Sequence, residues 1–138
     1  MLPLKTQADP KPLSELLSHT LALTLAQAAD DRKGKDILLL KVTEVSYLAD
    51  YFVIVTGLSR TQVRAIATAM TASAADQCER HPLRKDGVSE SSWIVLDYGD
   101  VIAHILMPEQ REYYDLESFW GHAERLNLPS SSAQHPAT

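Results

Sequence analysis

The most constraining feature of the sequence is a pair of apolar runs, at residues 37–42 and 51–56, separated by a short polar stretch. Both runs contain β-branched residues and the second adds aromatic ones, which favours strands over helices. Apolar side chains occupy odd and even positions of each run, so neither face of these strands is suited to water. The runs therefore predict two central strands of a sheet that is covered on both faces.

Helical patterns before and after these runs predict the helices that cover the sheet. Apolar residues recur every three or four positions from Leu13 to Ala28, and Gly34 follows as a stop signal. A second apolar stripe, at residues 63–74, predicts another helix. The predicted elements are a helix from residue 13, strands at 37–42 and 51–56, a helix at about 59–80, strands at 93–97 and 101–107, and a helix at about 115–127. This order, α-β-β-α-β-β-α, predicts a mixed α/β domain of the α+β kind.

Length and charge narrow the class of protein. The chain has 138 residues, of which 45% are hydrophobic, enough for one well-packed core but not for two. We expect a single domain at residues 13–127, with flexible tails at 1–12 and 128–138. The formal net charge of −5 argues against a partner held mainly through nucleic-acid phosphates and favours a basic protein.

The sequence argues against a disulfide, a metal site and a membrane span. Cys78 is the only cysteine, so no internal disulfide is expected, and the five histidines lack a metal-binding spacing. We therefore expect no metal and no cofactor. No apolar run reaches the roughly 18 residues of a membrane span. With no secretory signal, and with residues 1–12 too short for a transit segment, we expect a bacterial-type cytoplasmic location.

The joint between strand and helix at Gly57 raises the question of phosphate binding. Helix starts attract anions, and two arginines lie nearby, so a nucleotidyltransferase-like enzyme that uses the joint from Gly57 to Arg64 is the alternative function. However, the spacing of Ser59 and Gln62 fits a capping box, and one glycine falls short of a nucleotide-binding loop. The following helix has no acidic residue before Asp76 that could hold metal ions. We interpret the joint as a capped helix start.

A turn at Tyr98-Gly99 predicts a hairpin in which Leu96 faces Val101 and Trp93 faces His104. Alternation then sorts the side chains into two faces. The core face holds Ile94, Leu96, Val101, Ala103, Ile105 and Met107, and the other face holds Trp93, Val95, Asp97, Asp100, Ile102, His104 and Leu106. The second set mixes rings, acids and aliphatic residues, which is typical of a recognition surface.

A series of short motifs in one order resembles the ribosomal silencing factor family, RsfS, also called Iojap. The motifs are KDI at 35–37, ADYFVI at 49–54, SRTQV at 59–63, WIVLDYGDV at 93–101, HI at 104–105 and REYYDLESFW at 111–120. The resemblance covers about residues 13–126. Two mild departures are Asp86-Gly87, where the family often has Glu-Gly, and Leu106 in place of a common phenylalanine.

The resemblance implies a nucleotidyltransferase-like fold without catalytic activity, in a homodimer. It implies binding to the large ribosomal subunit through ribosomal protein L-fourteen, which prevents the small subunit from joining and represses translation when nutrients are limited. Acidic residues between 97 and 117 outnumber basic ones six to one, which suits a basic partner. We expect Trp93 and Tyr114 to be apolar anchors and His104 to be a hydrogen-bonding group. Four further residues are expected to pair with basic side chains of the partner: Asp97, Tyr98, Glu109 and Glu117. Arg111 is expected to order neighbouring acids.

Overall fold

The computed structural model describes residues 13–43 and 49–128. Its elements are α1 (Leu13–Asp31), β1 (Lys35–Lys41), β2 (Tyr51–Thr56), α2 (Arg60–Cys78), β3 (Arg84–Asp86), β4 (Trp93–Asp97), β5 (Val101–Leu106), α3 (Pro108–Tyr114), α4 (Leu116–Phe119) and β6 (Glu124–Leu126). One six-stranded sheet has the order β3-β4-β5-β2-β1-β6, in which β2 and β5 are parallel and the other neighbours antiparallel. The predicted mixed α/β class is confirmed. The predicted tails, 1–12 and all of 128–138 except Leu128, lie outside the described residues.

The main core lies between one face of the sheet and the two long helices. Leu21 and Leu25 of α1 and Ile66 and Met70 of α2 are fully buried against it. Buried alanines on both helices let the backbones approach one another and the sheet closely. Burying a side chain of leucine size contributes about 2 kcal/mol, so this layer is the larger of the two apolar contributions to stability.

A smaller apolar cluster covers the opposite face of the sheet. It contains Leu40, Phe52, Ile54 and Leu106, with Trp120 and other half-buried side chains packed around them. All six residues of β2 are buried. The prediction that this strand is central and covered on both faces is therefore confirmed, although the two covers differ greatly in size.

The predicted helix at 115–127 is wrong, and two strands were missed. Asp115 adopts a left-handed conformation (φ 49°), which ends α3 and separates it from α4. The helix α3 begins earlier, at Pro108, in the first-turn position that proline favours. Residues 124–126 form strand β6 beside β1, and residues 84–86 form strand β3 beside β4. Both are three residues long and charged apart from Leu126, so neither has an apolar run.

The hairpin turn lies one residue later than predicted. Its two central residues are Gly99 and Asp100, flanked by a hydrogen bond from Tyr98 N to Val101 O of 2.9 Å. The pairing is Leu96 with Ala103 and Trp93 with Leu106, so the predicted partners were wrong by two residues. An even shift preserves alternation, so the sorting of the strand residues into two faces is confirmed.

Side-chain and backbone geometry explain where the turn forms. The carboxylate of Asp97 accepts a hydrogen bond from the Gly99 N–H at 2.8 Å, and Gly99 has a φ of 92°, which glycine tolerates best. Asp100 does not join the second face, because strand alternation ends at the turn. Its carboxylate instead accepts hydrogen bonds from Arg80 at 2.7 Å and Ser18 at 2.6 Å. Burial alone would raise the pKa of Asp100, but these donors hold it below its ordinary value.

The predicted cap at the start of α2 is confirmed. The Ser59 hydroxyl accepts from the Gln62 N–H at 3.1 Å, while the Gln62 side-chain oxygen accepts from the Leu58 N–H at 2.7 Å. The Gln62 amide also donates to the Lys33 carbonyl at 3.1 Å, which ties α2 to the turn after α1. A Cβ on Gly57 would lie 2.7 Å from a Val63 methyl carbon, so the joint needs glycine for close packing.

Replacing Ser59 with alanine should lower the free energy of unfolding by about 1 kcal/mol, because the Gln62 N–H loses its acceptor. The measurement is urea unfolding followed by circular dichroism. Thr61→Ala is the matched control, since Thr61 is exposed in the same helical turn and makes no cap. Equal losses in both variants would contradict the role given to the cap.

Candidate protein-docking surface

Seven aromatic rings contact one another in a continuous series on the sheet face opposite α1 and α2. In order they are Phe119, Trp120, Phe52, His104, Trp93, Tyr114 and Tyr113. Neighbouring ring centroids lie between 4.8 Å and 5.9 Å apart. We call this series the ring chain. Its two end rings, Tyr113 and Phe119, are each 80% exposed, and Tyr114 is 52% exposed.

The sequence builds the ring chain from two kinds of element. Strand alternation places Phe52, His104 and Trp93 on the same face of β2, β5 and β4. The short helix α3 supplies Tyr113 and Tyr114, and the end of α4 supplies Phe119 and the following Trp120. The two rings of each pair meet edge to face at 86°. Tyr114 contacts Trp93 of β4 and Trp120 contacts Phe52 of β2, so the rings join the two short helices to the sheet. Such contacts contribute about 0.5–1.5 kcal/mol each beyond area burial.

One hydrogen bond lies inside the ring chain. The Trp93 indole N–H donates to Nδ1 of His104 at 3.1 Å, which requires a neutral histidine with its proton on Nε2. Burial lowers the pKa of His104 to about 4, against the opposing effect of the Asp97 charge. The imidazole is therefore neutral at pH 7, and Nδ1 stays an acceptor.

Arg111 joins the end of β2 to both short helices. Its guanidinium donates to the Thr56 hydroxyl at 2.9 Å and to the Glu117 carboxylate at 3.1 Å. The side chain of Arg111 is only 12% exposed, so water screens this ion pair less than a surface pair. The prediction that Arg111 orders neighbouring acids is confirmed for Glu117.

An acid-lined cleft of about 690 Å³ opens beside Arg111. Its charged lining residues are Asp36, Glu112, Asp115 and Glu117, with Lys35 and Arg111. Four carboxylates against two cations make this cleft a favourable place for a basic side chain of a partner. Within residues 13–43 and 49–128, no group of three or more histidine, cysteine or acidic side chains could hold a metal ion.

The structure brings only some of the predicted site residues to this surface. Trp93 and Tyr114 lie in the ring chain, and Glu109 is exposed in the first turn of α3. His104 lies in the middle of the ring chain. Asp97 lies at its border, where its carboxylate is 3.7 Å from Arg84.

Tyr98 does not lie on the surface. It is 2% exposed and packs in the main core on the helix side of the sheet, and burial raises the pKa of its hydroxyl to about 12. Strand alternation puts Tyr98 on the opposite side from Asp97, so the prediction that both pair with a partner's basic side chains is wrong for Tyr98.

Two residues that belong to the surface were missed. Tyr113 and Phe119 are each 80% exposed, yet neither was predicted as a contact. The signal was the doubled aromatic in each short helix. Neighbouring helical residues point about 100° apart, so two adjacent rings cannot both face the sheet.

A mixed α/β domain that carries exposed, mutually packed rings beside an acid-lined cleft has the surface composition that is typical of protein-binding modules. A family profile described as ribosomal silencing factor during starvation matches residues 16–138, and the chain belongs to this RsfS family. The ribosomal silencing factor RsfS of Bacillus subtilis is 39% identical over 106 residues, which cover 75% of this chain and 86% of that relative.

Organellar relatives are similar as well. The chloroplastic protein Iojap of Arabidopsis thaliana is 36% identical over 119 residues, 86% of this chain, and the chain spans about half the length of this relative. A mouse protein named for mitochondrial assembly of the ribosomal large subunit is 31% identical over 89 residues, covering 63% of this chain and 39% of that protein.

A solved structure has the same fold. A crystal structure of a Chromobacterium violaceum protein superposes with a TM-score of 0.71 at 28% identity and covers 84% of this chain and 95% of that one. The nucleotidyltransferase-like description of the fold stays a prediction. Among the helices of the described chain, none is both long and apolar enough to cross a membrane.

Lowering the pH from 6.5 towards 4 should destabilise the chain through His104. The unfolded chain binds a proton at this histidine below pH 6.5, whereas the folded chain binds one only near pH 4. The unfolded state therefore gains stability across this window, by roughly 3 kcal/mol at its lower end. Denaturant unfolding at several pH values measures the loss. His104→Asn, which does not titrate, should remove this component, and an unchanged pH slope in that variant would contradict it.

Proposed function

We propose that this chain is a ribosomal silencing factor. In this proposal it binds the large ribosomal subunit through ribosomal protein L-fourteen, sterically blocks the small subunit and represses translation under nutrient limitation. The observation that carries the proposal is the ring chain, whose exposed ends lie beside an acid-lined cleft. Membership of the RsfS family, and the name of the mouse relative, point to the large ribosomal subunit as the partner.

The geometry of the rings suits docking on a protein. Aromatic side chains bury a large area for few rotatable bonds, and they dominate the energetics of many interfaces. Tyr113, Tyr114 and Phe119 each contact another ring of the ring chain, so part of their rotational freedom is already lost before binding. That pre-organisation lowers the entropy cost of association.

The acids around the rings suit a basic partner. Glu109, Glu112 and Asp115 are exposed at the border of the rings, where they can attract basic side chains during encounter. Glu117 and Asp97 already lie beside Arg111 and Arg84, so we assign them to the rim of the contact. The proposed contact set is Trp93, Tyr113, Tyr114 and Phe119, with Glu109, Asp97 and Glu117.

The helix start at Gly57 favours a binding protein over a nucleotide-using enzyme. The N–H groups of Leu58 and Gln62 are bonded to side chains of the joint itself, so they are not offered to a phosphate. Calorimetric titration with nucleotides and magnesium tests the enzyme alternative, which saturable binding with turnover would support. A homodimer and a cytoplasmic location remain predictions.

Trp93→Ala should weaken binding to large ribosomal subunits by about thirtyfold, equivalent to roughly 2 kcal/mol, because an anchor and its contact with Tyr114 are lost. Sedimentation with separated subunits measures the affinity, and thermal unfolding checks that the variant is folded. Leu16→Ala is the control, because Leu16 is 48% exposed but lies on α1, which packs against the other side of the sheet. Parent-like binding by a folded Trp93→Ala chain would remove this residue from the surface.

Silencing itself makes a separate prediction. Added to large and small subunits under joining conditions, the parent chain should lower the yield of joined ribosomes, because it occupies the surface that the small subunit needs. The Trp93→Ala chain should need about thirtyfold more protein for the same effect. Gradient sedimentation gives the yield. A chain that binds the large subunit tightly and leaves joining unchanged would refute the silencing step while preserving the binding step.

A further inference from the structure

His104 occupies the centre of the ring chain. Three rings lie on one side of it, ending at Phe119, and three lie on the other, ending at Tyr113. Its ring centroid is 5.6 Å from that of Phe52 and 5.9 Å from that of Trp93. The two halves of the surface therefore meet at this imidazole.

The surroundings of His104 do not suit a residue that reaches out to a partner. It lies on β5 between β2 and β4, where it is paired with Ile54 and Val95 and only partly accessible. Its Nδ1 is already occupied by the indole N–H of Trp93. The hydrogen-bonding group predicted at this position thus acts within the chain.

We propose that His104 is a positioning residue, which fixes the orientation of Trp93 by accepting its indole N–H and thereby sets Tyr114 and Tyr113 for docking. This inference rests on the proposed function. A half-buried indole that lacks an acceptor satisfies its N–H by turning towards water. The ring centroids of Tyr114 and Trp93 are 4.8 Å apart, so this rotation of the indole would also move Tyr114 and the neighbouring Tyr113.

The protonation state of the imidazole supports this role. Burial lowers its pKa to about 4, so Nδ1 keeps its lone pair throughout the neutral range. Phe52 packs edge-on against the other side of the ring at 72° and restricts its rotation. Both the orientation of Nδ1 and the neutral state of the imidazole are therefore fixed.

The first test uses the free protein and the exchange rate of the Trp93 indole proton, followed by nuclear magnetic resonance. His104→Leu fills the space without an acceptor, whereas His104→Asn places an amide oxygen near the position of Nδ1. Exchange should become about tenfold faster in the leucine variant and return close to the parent rate in the asparagine variant. The Trp120 indole, in the same spectrum, is the internal control. Unchanged exchange in His104→Leu would overturn the inference without any reference to the ribosome.

The second test measures affinity for purified large ribosomal subunits. His104→Leu should weaken binding about tenfold, and His104→Asn should recover most of the loss. Trp93→Phe removes the donor without altering the histidine, so combining it with His104→Leu should add little further loss. This variant also tests the bond from the other side if His104→Leu folds poorly.

The outcomes separate this inference from the proposed function. Normal binding by a folded Trp93→Ala chain would remove Trp93 from the proposed docking surface, whatever the exchange rates show. Loss of binding by Trp93→Ala together with normal binding by His104→Leu would overturn the positioning role alone. Equal loss in His104→Leu and His104→Asn would mean that the imidazole ring is needed for another reason, and would also overturn it.

Discussion

The two faces of the sheet are covered unequally, and the rest of the structure depends on that difference. On one face, two helices of 19 residues each bury a continuous core. On the other, helices of seven and four residues provide the cover, and helices of that length are not stable in water alone. Their packing on the sheet must therefore supply their stability. The ring chain and the Arg111 contacts give it, so the groups proposed to meet a partner are also the groups that hold the surface together.

Much of this architecture could be predicted from local pattern. The two long helices have apolar stripes of helical period, β2 is apolar throughout, and Ser59 and Gln62 have the spacing of a cap. These signals lie within one element and report directly on burial. The short strands β3 and β6 have no such signal, because five of their six residues are charged and they pair only along β4 and β1. The break at Asp115 depends on a left-handed conformation that its residue type does not require.

The proposed docking surface was predictable only in part, again because local pattern reports on some of its residues and not on others. Trp93 and His104 follow from strand alternation, which survives a register error of two residues. Tyr98 was misplaced because motif membership says nothing about which side of the sheet a residue occupies. Tyr113 and Phe119 were missed because their exposure depends on how α3 and α4 lie against the sheet, which is set by distant contacts such as the hydrogen bond from Arg111 to Thr56. Long-range contacts of this kind leave no local pattern.

The two margins of the sheet limit how copies of the molecule can meet. The outer strands are three residues long and consist of Arg84, Lys85 and Asp86 on one side and Glu124, Arg125 and Leu126 on the other. Short, charged outer strands discourage the backbone of a second sheet from adding on. Association through the edges of the sheet is therefore disfavoured. A partner must instead contact surfaces made of side chains, where shape and charge have to match.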